Sequence, residues 1–439
     1  MSKKRRILFV SRELIAGDLA YRLKNEGCEV KLYIEGKDEK ECFDGMIEKT
    51  GDWKGELGWV GKDGLIIFDD VGYGEIQDKL RSDGYLVIGG SGDGDRLELD
   101  RKYGQEVLKA CGVEFSDEFE TKPFTINSAL DFVKKNKGRW VFKQDNHDEA
   151  VTYISEREDG SDLISILESY KIRFGGSYKC SLQKRVFGVE IAIGRFFDGH
   201  DWAGPLVFNI EYKNVHNDDI GPLGGETGTL MWYDSDEKKK LFQKTLAKLK
   251  PHLQKSNYKG YVDVNCIVLN KNNVYPLEIT SRFGSSTNET QSEIHNSPWN
   301  EFLFSVAKGE NYRLKYKKGY AINVALTVSP FPYRTSDERL SQKGVDIFFD
   351  KGLLEKQLPH IHFEEVSCKK ENGMDRYYIA CNTGYVLYIT GTGNAVEKAR
   401  EKVYKIINKI IIPKMFYRTD IGLRFVRKDQ ELLNKWEWI

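Results

Sequence analysis

Residues 258–291 contain the side chains whose types and spacing are best suited to chemistry. Two apolar stretches flank the polar run 270–273, Asn-Lys-Asn-Asn, and this pattern predicts a β-hairpin. Glu278 on the second strand would then lie beside Asn265 on the first, and Thr280 would share the face of Glu278. Such oxygen-bearing side chains bind Mg²⁺, usually together with phosphate oxygens of a nucleotide. The sequence therefore predicts a metal site at these three residues. The alternative is an edge-strand carboxylate that faces solvent.

The first hundred residues alternate between strand and helix patterns, which is the order expected for a doubly wound parallel sheet. Strands are predicted at 6–10, 29–34, 64–68 and 85–88, with a helix at 15–25. The glycine-rich run 89–94 lacks the strand–GxGxxG–helix order with a downstream acid that dinucleotide sites need. We therefore predict that this run is a linker rather than a phosphate-binding loop.

Further elements follow from hydrophobic periodicity. Helices are predicted at 96–110, 128–136, 238–253 and 395–409, and strand patterns lie at 181–197, 321–328 and 377–390. His360 and His362 alternate along a short strand without a third ligand, so we expect them to face solvent rather than to bind zinc.

Composition limits the possible partners and the compartment. With 67 basic and 67 acidic residues and a pI near 7.0, the chain has no overall positive field that would attract nucleic acid. Its seven cysteines show no CxxC pair, which is typical of reduced thiols in a cytoplasmic protein. The apolar runs at both ends are too short for a signal peptide or a membrane span. We expect a cytoplasmic monomer or homodimer with no membrane partner.

Two segments resemble a known family. Residues 274–284, VYPLEITSRFG, are close to the pattern strand-Glu-x-Asn-x-Arg-Phe-Gly, and residues 384–422 end in Tyr-Arg-x-Asp-Ile-Gly. Both are similar to the phosphoribosylamine–glycine ligase family of ATP-grasp ligases. The resemblance implies mixed α/β and α+β architecture with an ATP-grasp fold. It implies an N-terminal doubly wound parallel-sheet domain at 1–95, an ATP-grasp domain at 96–318 with a lid at about 115–180, and a C-terminal β-rich domain at 319–439.

The resemblance also implies residues that bind ATP. Lys143 would contact phosphate, Glu190 the ribose hydroxyls, and Lys213 the phosphates during catalysis. The adenine would pair with the backbone of a hinge made of Gln183, Lys184, Arg185 and Val186. The alternatives are a surface lysine at 143 and an exposed strand carboxylate at 190.

Further residues are implied for the metal and the substrates. Glu278 would hold Mg²⁺, Asn265 stands where many ATP-grasp enzymes have an acid, and Thr280 replaces an asparagine, so its ligation would be weaker or through water. Arg282 would stabilise the transferred phosphoryl group. Substrate contacts are implied for Gly224 and Gly225, in a loop whose alternative is simple flexibility, and for Glu289 at the amine.

The chain departs from the family where phosphate is bound. Residues 10–17 after the first strand lack the family's glycine-rich turn, although Arg12 could supply charge, and the lid 145–152 is acidic and has no glycine. Gln105 replaces a lysine, and Ser-Pro-Phe-Pro at 329–332 replaces Ser-x-Gly-Tyr-Pro. We therefore expect phosphoribosylamine to be a poor substrate unless Arg12 binds its phosphate.

The resemblance implies an ATP-dependent carboxylate–amine ligase that forms an amide through an acyl phosphate. Its cofactors would be ATP and Mg²⁺, with Mn²⁺ as an alternative, and its substrates glycine and an amine. Two alternatives stay open. One is a ligase of the same fold for another amine, such as a modified nucleoside or base, and the other is a non-catalytic nucleotide-binding module.

Overall fold

The computed structural model describes residues 4–114, 121–144, 152–333, 337 and 339–439. The chain divides into two compact units. The first comprises Met1–Val113, Glu190–Cys266 and Pro276–Ile439, and the second comprises Glu114–Val189 and Ile267–Tyr275. The predicted lid segment 115–180 lies within the second unit, and the other domain limits stay predictions.

A five-stranded parallel sheet begins the first unit. Its strands are β1 (Arg6–Ser11), β2 (Glu29–Ile34), β3 (Glu48–Lys49), β4 (Leu65–Phe68) and β5 (Leu86–Ile88), in the order β3-β2-β1-β4-β5. The central strands β1 and β4 are buried almost throughout, as expected for apolar strands of a parallel sheet. This confirms the predicted doubly wound sheet. Its strand order reverses between β1 and β4, where such sheets usually bind ligands.

Five helices accompany these strands: α1 (Gly17–Asn25), α2 (Leu57–Val60), α3 (Gly74–Ser82), α4 (Gly92–Leu99) and α5 (Arg101–Ala110). The glycine run 89–94 is a linker only in part, because α4 begins inside it and the Ser91 hydroxyl accepts a hydrogen bond from the Gly94 amide. The single helix predicted at 96–110 is also wrong. Asp100 interrupts it and caps α5 by accepting from the Tyr103 amide.

The second unit is a small sheet covered by helices. It contains β6 (Lys122–Thr125), α6 (Ile126–Lys135), β7 (Trp140–Gln144), β8 (Tyr153–Ile154), α7 (Ser161–Phe174) and β9 (Lys179–Lys184), with strand order β6-β9-β7-β8. Its core includes Ile126 and Leu130 of α6, Leu163 of α7 and Phe142 of β7. Thr125 and Ser128 form a capping box that starts α6.

An eight-stranded sheet carries most of the predicted site residues. It is built from β10 (Val189–Asp198), β11 (Trp202–His216), β12 (Ile220–Asp234), β13 (Lys259–Val268), β14 (Val274–Thr280), β15 (Tyr320–Thr327), β17 (Ile361–Phe363) and β20 (Tyr385–Gly393). The order is β14-β13-β10-β11-β12-β15-β20-β17. Pro276 is placed on β14 at the edge, where a residue without an amide proton is tolerated.

The remaining strands form a four-stranded sheet from β16 (Asp346–Phe349), β18 (Val366–Glu371), β19 (Met374–Ile379) and β21 (Ile410–Ile411), in the order β18-β19-β16-β21. The remaining α-helices are α8 (Lys240–Lys244), α9 (Lys250–Lys255), α10 (Thr287–Ile294), α11 (Trp299–Lys308), α12 (Leu353–Gln357), α13 (Val396–Ile407) and α14 (Gln430–Lys435). Short 3₁₀ turns lie at Asn217–Asp219, Leu246–Leu249 and Leu358–His360, and a π turn lies at Phe425–Asp429.

Two predicted elements are divided in the structure. The helix predicted at 238–253 breaks at Thr245, whose dihedral angles are not helical. The Thr245 hydroxyl donates a hydrogen bond to the Leu241 carbonyl. The strand predicted at 377–390 is two strands, β19 and β20, which belong to different sheets.

All seven cysteines are free thiols. Among the described residues no helix is both long and apolar enough to cross a bilayer.

A buried polar network joins α1 to β17, and it corrects the expected exposure of one histidine. His362 is fully buried, its Nδ1 lies 2.7 Å from Asp18 Oδ2, and its Nε2 lies 2.9 Å from the Thr390 hydroxyl. The Asp18 carboxylate also pairs with Arg22 at 2.5 Å. Burial acts to raise the pKa of Asp18, but Arg22 and His362 lower it to about 2.

We predict that Asp18→Asn destabilises the protein by about 3–5 kcal/mol, because Arg22 and His362 would keep their positions and lose a buried anionic partner. The free energy of unfolding in urea measures this loss. Glu29→Gln, at an exposed position of β2, is the matched control and should change stability little. Equal stability of Asp18→Asn and wild type would show that the network contributes nothing.

Candidate active site

The predicted metal ligands lie on the edge strand β14 and on its neighbour β13. Asn265 is on β13 and Glu278 and Thr280 are on β14, and the backbone amide of Leu269 donates to the Asn273 carbonyl across the intervening turn. The Glu278 side chain is 47% exposed, whereas Asn265 is only 4% exposed. The predicted hairpin is confirmed, and it leaves a solvent-accessible carboxylate beside a buried amide.

Lys213 of β11 is the centre of a charge cluster on this sheet. Its Nζ lies 3.2 Å from Glu190 Oε1, 3.1 Å from Glu211 Oε2 and 3.8 Å from Glu278 Oε1. The Asn265 amide donates to the same Glu190 oxygen at 3.0 Å. Four strands therefore bring Glu190, Lys213, Asn265 and Glu278 together.

The electrostatics of Lys213 follow from these neighbours. Burial acts to lower the pKa of the ammonium, but Glu211, Glu190 and Glu278 outweigh it and raise that pKa well above its ordinary value. Lys213 therefore remains a cation throughout the physiological range. A fixed ammonium close to three carboxylates is suited to neutralise anionic groups in a reaction.

A second set of acids lies further into the sheet and was not predicted. The Glu226 carboxylate accepts from the Ser286 hydroxyl and, at 3.1 Å, from Thr229. Burial, and then repulsion by Glu211, raises the pKa of Glu226 to about 8. Burial also raises the pKa of Asp263 well above its usual value. Glu211 lies two residues before Lys213, and Asp263 lies two residues before Asn265, so on a strand each acid shares a face with a predicted site residue. That spacing is the sequence signal that could have identified Glu211 and Asp263.

Arg282 is held by acidic residues of the N-terminal region. Its Nε donates to Glu98 at 2.9 Å and lies 3.5 Å from Asp70, and Glu98 also accepts from the Ser281 amide. Burial opposes the charge, but Glu98 and Asp70 raise the pKa of the guanidinium. The arginine is therefore fixed as a cation.

The predicted substrate residues occupy three different settings. Gly224 and Gly225 lie on β12 and not in the predicted loop; Gly225 has a positive φ of 74°, and the carbonyl of Gly224 accepts from the Tyr385 hydroxyl. Glu289 is 1% exposed on α10. Arg12 is exposed after β1, with its guanidinium against Gly72. The Lys213 cluster includes none of these four residues.

The second unit contains the predicted lysine and hinge. Lys143 Nζ donates to Gln183 Oε1 at 2.8 Å, and Gln183 Nε2 donates to the Tyr275 hydroxyl at 3.1 Å. The Arg185 amide donates to the Arg139 carbonyl, so that hinge amide is already paired within the unit. Lys184 is the last residue of β9, and Arg185 and Val186 follow the strand. The acidic lid at 145–152 lies outside the described residues except for Thr152.

Comparisons with known proteins place this geometry in a fold family. Residues 305–424 match the family described as phosphoribosylglycinamide synthetase, C domain. The phosphoribosylamine–glycine ligase of Helicobacter pylori is 24% identical over 366 residues, which cover 80% of this chain and 79% of the relative. That of Mycobacterium leprae is 24% identical over 361 residues, covering 79% of each.

Two solved structures show the fold. The phosphoribosylamine–glycine ligase of Thermotoga maritima superposes with a TM-score of 0.67 at 19% identity, covering 95% of this chain and 100% of that one. The biotin carboxylase of Campylobacter jejuni gives 0.61 at 13% identity, covering 99% of both chains. The chain is a divergent relative of the phosphoribosylamine–glycine ligases. Its fold is the ATP-grasp fold, as the sequence implied.

The site residues that the sequence missed are four acids, of which Asp263 is buried and the other three are partly buried. Glu98, Glu211, Glu226 and Asp263 lie on separate strands and a helix, and each becomes part of the site only through strand order and register. Glu98 belongs to the segment Leu-Glu-Leu-Asp-Arg-Lys at 97–102 and pairs with Arg282.

We predict that Glu226 makes stability fall with rising pH. Its pKa of about 8 exceeds its ordinary 4.5, so the folded protein retains a proton that the unfolded chain releases, and stability is lost between about pH 4.5 and 8. Glu226→Gln should reduce the slope of unfolding free energy against pH by up to about 1.4 kcal/mol per pH unit in that window. Chemical denaturation from pH 5 to 9 measures the slope, with exposed Glu397→Gln as control. An unchanged slope would contradict the shifted pKa.

Proposed function

We propose that the protein is an ATP-dependent carboxylate–amine ligase that forms an amide through an acyl phosphate. The observation that supports this most is the Lys213 cluster on the ATP-grasp sheet, where one fixed cation meets Glu190, Glu211 and Glu278 within 4 Å. Clusters of fixed charges of this kind stabilise phosphoryl transfer by positioning and electrostatics. The relatives are named for joining phosphoribosylamine and glycine.

The proposed reaction has two steps. A carboxylate oxygen of the first substrate attacks the γ-phosphorus of ATP, the bond to the β-phosphate oxygen breaks, and ADP leaves. The neutral amine then attacks the acyl carbon, forms the C–N bond, expels phosphate and loses a proton. Lys213 would neutralise phosphoryl oxygens in the first step. Arg282 would stabilise the transferred group from its place beside Glu98.

The donor set fits Mg²⁺. That ion binds through one or two carboxylates and completes its shell with phosphate oxygens and water. Glu278 offers a half-exposed carboxylate. The Asn265 side-chain nitrogen donates a hydrogen bond to Glu190, which leaves the side-chain oxygen of Asn265 as the atom that would face a metal ion. Among the described residues no three acidic, histidine or cysteine side chains converge on a metal position. That is consistent with a cation that arrives with its nucleotide and neutralises phosphate charge when bound. Thr280 would contribute through water, and Mn²⁺ is an alternative ion.

Nucleotide contacts are proposed residue by residue. Glu190 would accept the ribose hydroxyls, since its carboxylate is already oriented by Lys213 and Asn265. In the second unit we propose Lys143 as a phosphate contact and the backbone of Gln183–Val186 as the adenine hinge. In that backbone segment, the Arg185 amide already donates a hydrogen bond to the Arg139 carbonyl.

The substrates are proposed more broadly. Glycine is the proposed carboxylate, held on the side of Arg282 and the β12 segment of Gly224 and Gly225. Glu289 is the proposed amine contact, and Arg12 is the residue that could hold a phosphate. A cytoplasmic location and a monomeric or homodimeric state stay predictions.

The function is tested by ADP release. We expect ADP only when ATP, Mg²⁺, a carboxylate and an amine are all present, and amide product in equal amount by mass spectrometry. ATP binding without turnover across a panel of carboxylates and amines would favour the non-catalytic alternative. Release that requires no amine would contradict amide formation.

We predict that Glu278→Gln lowers ligase turnover by about 100- to 1,000-fold, the scale of losing one electrostatic stabiliser. The half-exposed side chain makes few packing contacts, so the melting temperature should change little. Steady-state kinetics with varied Mg²⁺ measures the effect. Glu397→Gln on the exposed surface of α13 is the matched control. Turnover of Glu278→Gln near that of wild type would exclude Glu278 as the metal ligand.

A further inference from the structure

Glu226 of β12 is fixed through one of its two carboxyl oxygens. Oε2 accepts a hydrogen bond from the Thr229 hydroxyl at 3.1 Å and another from the Ser286 hydroxyl. Oε1 accepts no hydrogen bond from any residue that the structure describes, and Glu226 forms no ion pair with any of them. The side chain is partly exposed and Oε1 is not enclosed by the protein, so Oε1 is the oxygen that a substrate could reach.

The two hydroxyl donors are held in place by the surrounding fold. Ser286 has a positive φ of 55°, which is uncommon for a residue with a side chain, and its carbonyl accepts from the Asn323 side-chain amide at 2.7 Å. The Thr229 hydroxyl lies 3.0 Å from the Ser286 hydroxyl. Because both donors are fixed, the carboxyl group of Glu226 has a defined position, as a group that reacts with substrate requires.

The electrostatic surroundings of Glu226 include both cations of the candidate site. Lys213 and Arg282 interact with its carboxyl group, and all of these residues belong to the first unit. The acids that interact with it are Glu211, Asp263 and Glu289. Three phenols also interact with it, and burial raises the pKa of each, so that they stay neutral at physiological pH: Tyr261, Tyr385 and Tyr388.

The neighbouring carboxyl groups are less suited to take a proton from a substrate. Asp263 is only 4% exposed and Glu289 only 1%, so neither is accessible. Three other carboxylates are already paired with Lys213: Glu190, Glu211 and Glu278. Among these carboxyl groups only Glu226 combines an accessible oxygen with the absence of an ion-pair partner in the described chain.

Amide formation needs a proton acceptor, because most amines are protonated at neutral pH and an ammonium nitrogen has no lone pair for attack. A carboxylate of ordinary pKa holds a proton too weakly to take it from an ammonium efficiently. Transfer is most efficient when the pKa of the acceptor lies near the working pH. Burial, followed by the repulsion of Glu211, raises the pKa of Glu226 to about 8, so this group meets that requirement.

We propose that Glu226 is the general base of the amine step, and that its Oε1 receives a proton from the attacking ammonium. The inference rests on the proposed ligase function, to which it adds the proton acceptor. The N–H bond breaks as the proton passes to the carboxylate, and the neutral nitrogen then forms a bond with the acyl carbon of the acyl phosphate. The C–O bond to phosphate breaks, its electron pair leaves with phosphate, and the leaving phosphate takes the second proton from nitrogen. Glu226 returns its proton to solvent after the product leaves.

Two small nucleophiles separate the proton transfer from the other steps. Hydroxylamine is neutral at pH 7, whereas ammonia is present there almost entirely as ammonium. With ATP, Mg²⁺ and glycine, or another carboxylate that supports ADP release, the wild type should form the hydroxamate from the first and the primary amide from the second. Glu226→Gln keeps an oxygen that can accept from the two hydroxyls and removes the base. It should lower primary-amide formation at pH 7 by about 100-fold, the lower end of the range for general base catalysis, and hydroxamate formation by less than about 3-fold. Mass spectrometry measures both products.

The pH dependence is a second readout. With total ammonium fixed, amide formation by the wild type should rise with pH and level off above about pH 8, where Glu226 is ionised, whereas Glu226→Gln should continue to rise with the fraction of free ammonia. Ser286→Ala removes a hydroxyl that stabilises the ionised form, so it should move the levelling to higher pH and leave hydroxamate formation unchanged. This variant remains informative if Glu226→Gln does not fold. Glu397→Gln, the exposed control, should change neither product.

Other outcomes overturn the proposal in distinguishable ways. Equal losses of both products in Glu226→Gln would assign Glu226 a positioning role instead, and unchanged formation of both would assign it no role in the reaction. Hydroxamate from the wild type without primary amide at any pH would show that the site has no base for an ammonium, and would leave the ligase function intact. Absence of both hydroxamate and ADP release with every carboxylate of the panel would refute the ligase function and, with it, the base.

Discussion

The packing of several carboxylates into one sheet is tolerable only because Lys213 lies among them. Its ammonium contacts Glu190, Glu211 and Glu278, which come from three different strands of the eight-stranded sheet. Removing a charge from water costs several kcal/mol. A cluster of carboxylates such as this one is therefore stable only if some of its members are protonated or a fixed cation lies among them. Burial raises the pKa of Glu211 although Lys213 opposes the rise, and burial also raises the pKa values of Glu226 and Asp263. The register of β10, β11, β13 and β14 is therefore constrained by charge as well as by hydrophobic packing.

The rest of the candidate site also pairs a fixed cation with carboxylates of the protein. Arg282 is paired with Glu98 and Asp70, so the second fixed cation is matched by anions of the N-terminal region. Both fixed cations of the candidate site, Lys213 and Arg282, are therefore held in place by anions of the protein itself.

Sequence patterns predicted what depends on local periodicity. The strand Glu29–Ile34 was predicted with the bounds observed, and the polar run 270–273 between two apolar stretches predicted the hairpin of β13 and β14. The interruption at Asp100 was missed because the helical pattern continues on both sides of this residue. Asp100 ends α4 and caps α5 through a single side-chain hydrogen bond, which periodicity does not reveal. The burial of His362 was also missed, because α1 supplies Asp18 and Arg22 from more than 300 residues away in the chain. Glu226 became a site residue only when strand order placed it near Glu211. No single-sequence pattern contains that information.

Two separate departures from the related ligases agree physically. In the turn after β1, the Asp69 carboxyl group accepts hydrogen bonds from the Ala16 amide and the Ser11 hydroxyl, so these donors are already engaged at the end of the sheet where such folds usually bind ligands. Leu14 of the same turn lines an adjoining cavity with Glu364 and Glu365, and burial raises the pKa values of both carboxyl groups well above the usual value. Loss of the glycine-rich turn alone would weaken phosphate binding and leave the site unselective. The engaged donors of that turn and the missing glycines act in the same direction, because both reduce the number of backbone amides that a phosphate could contact.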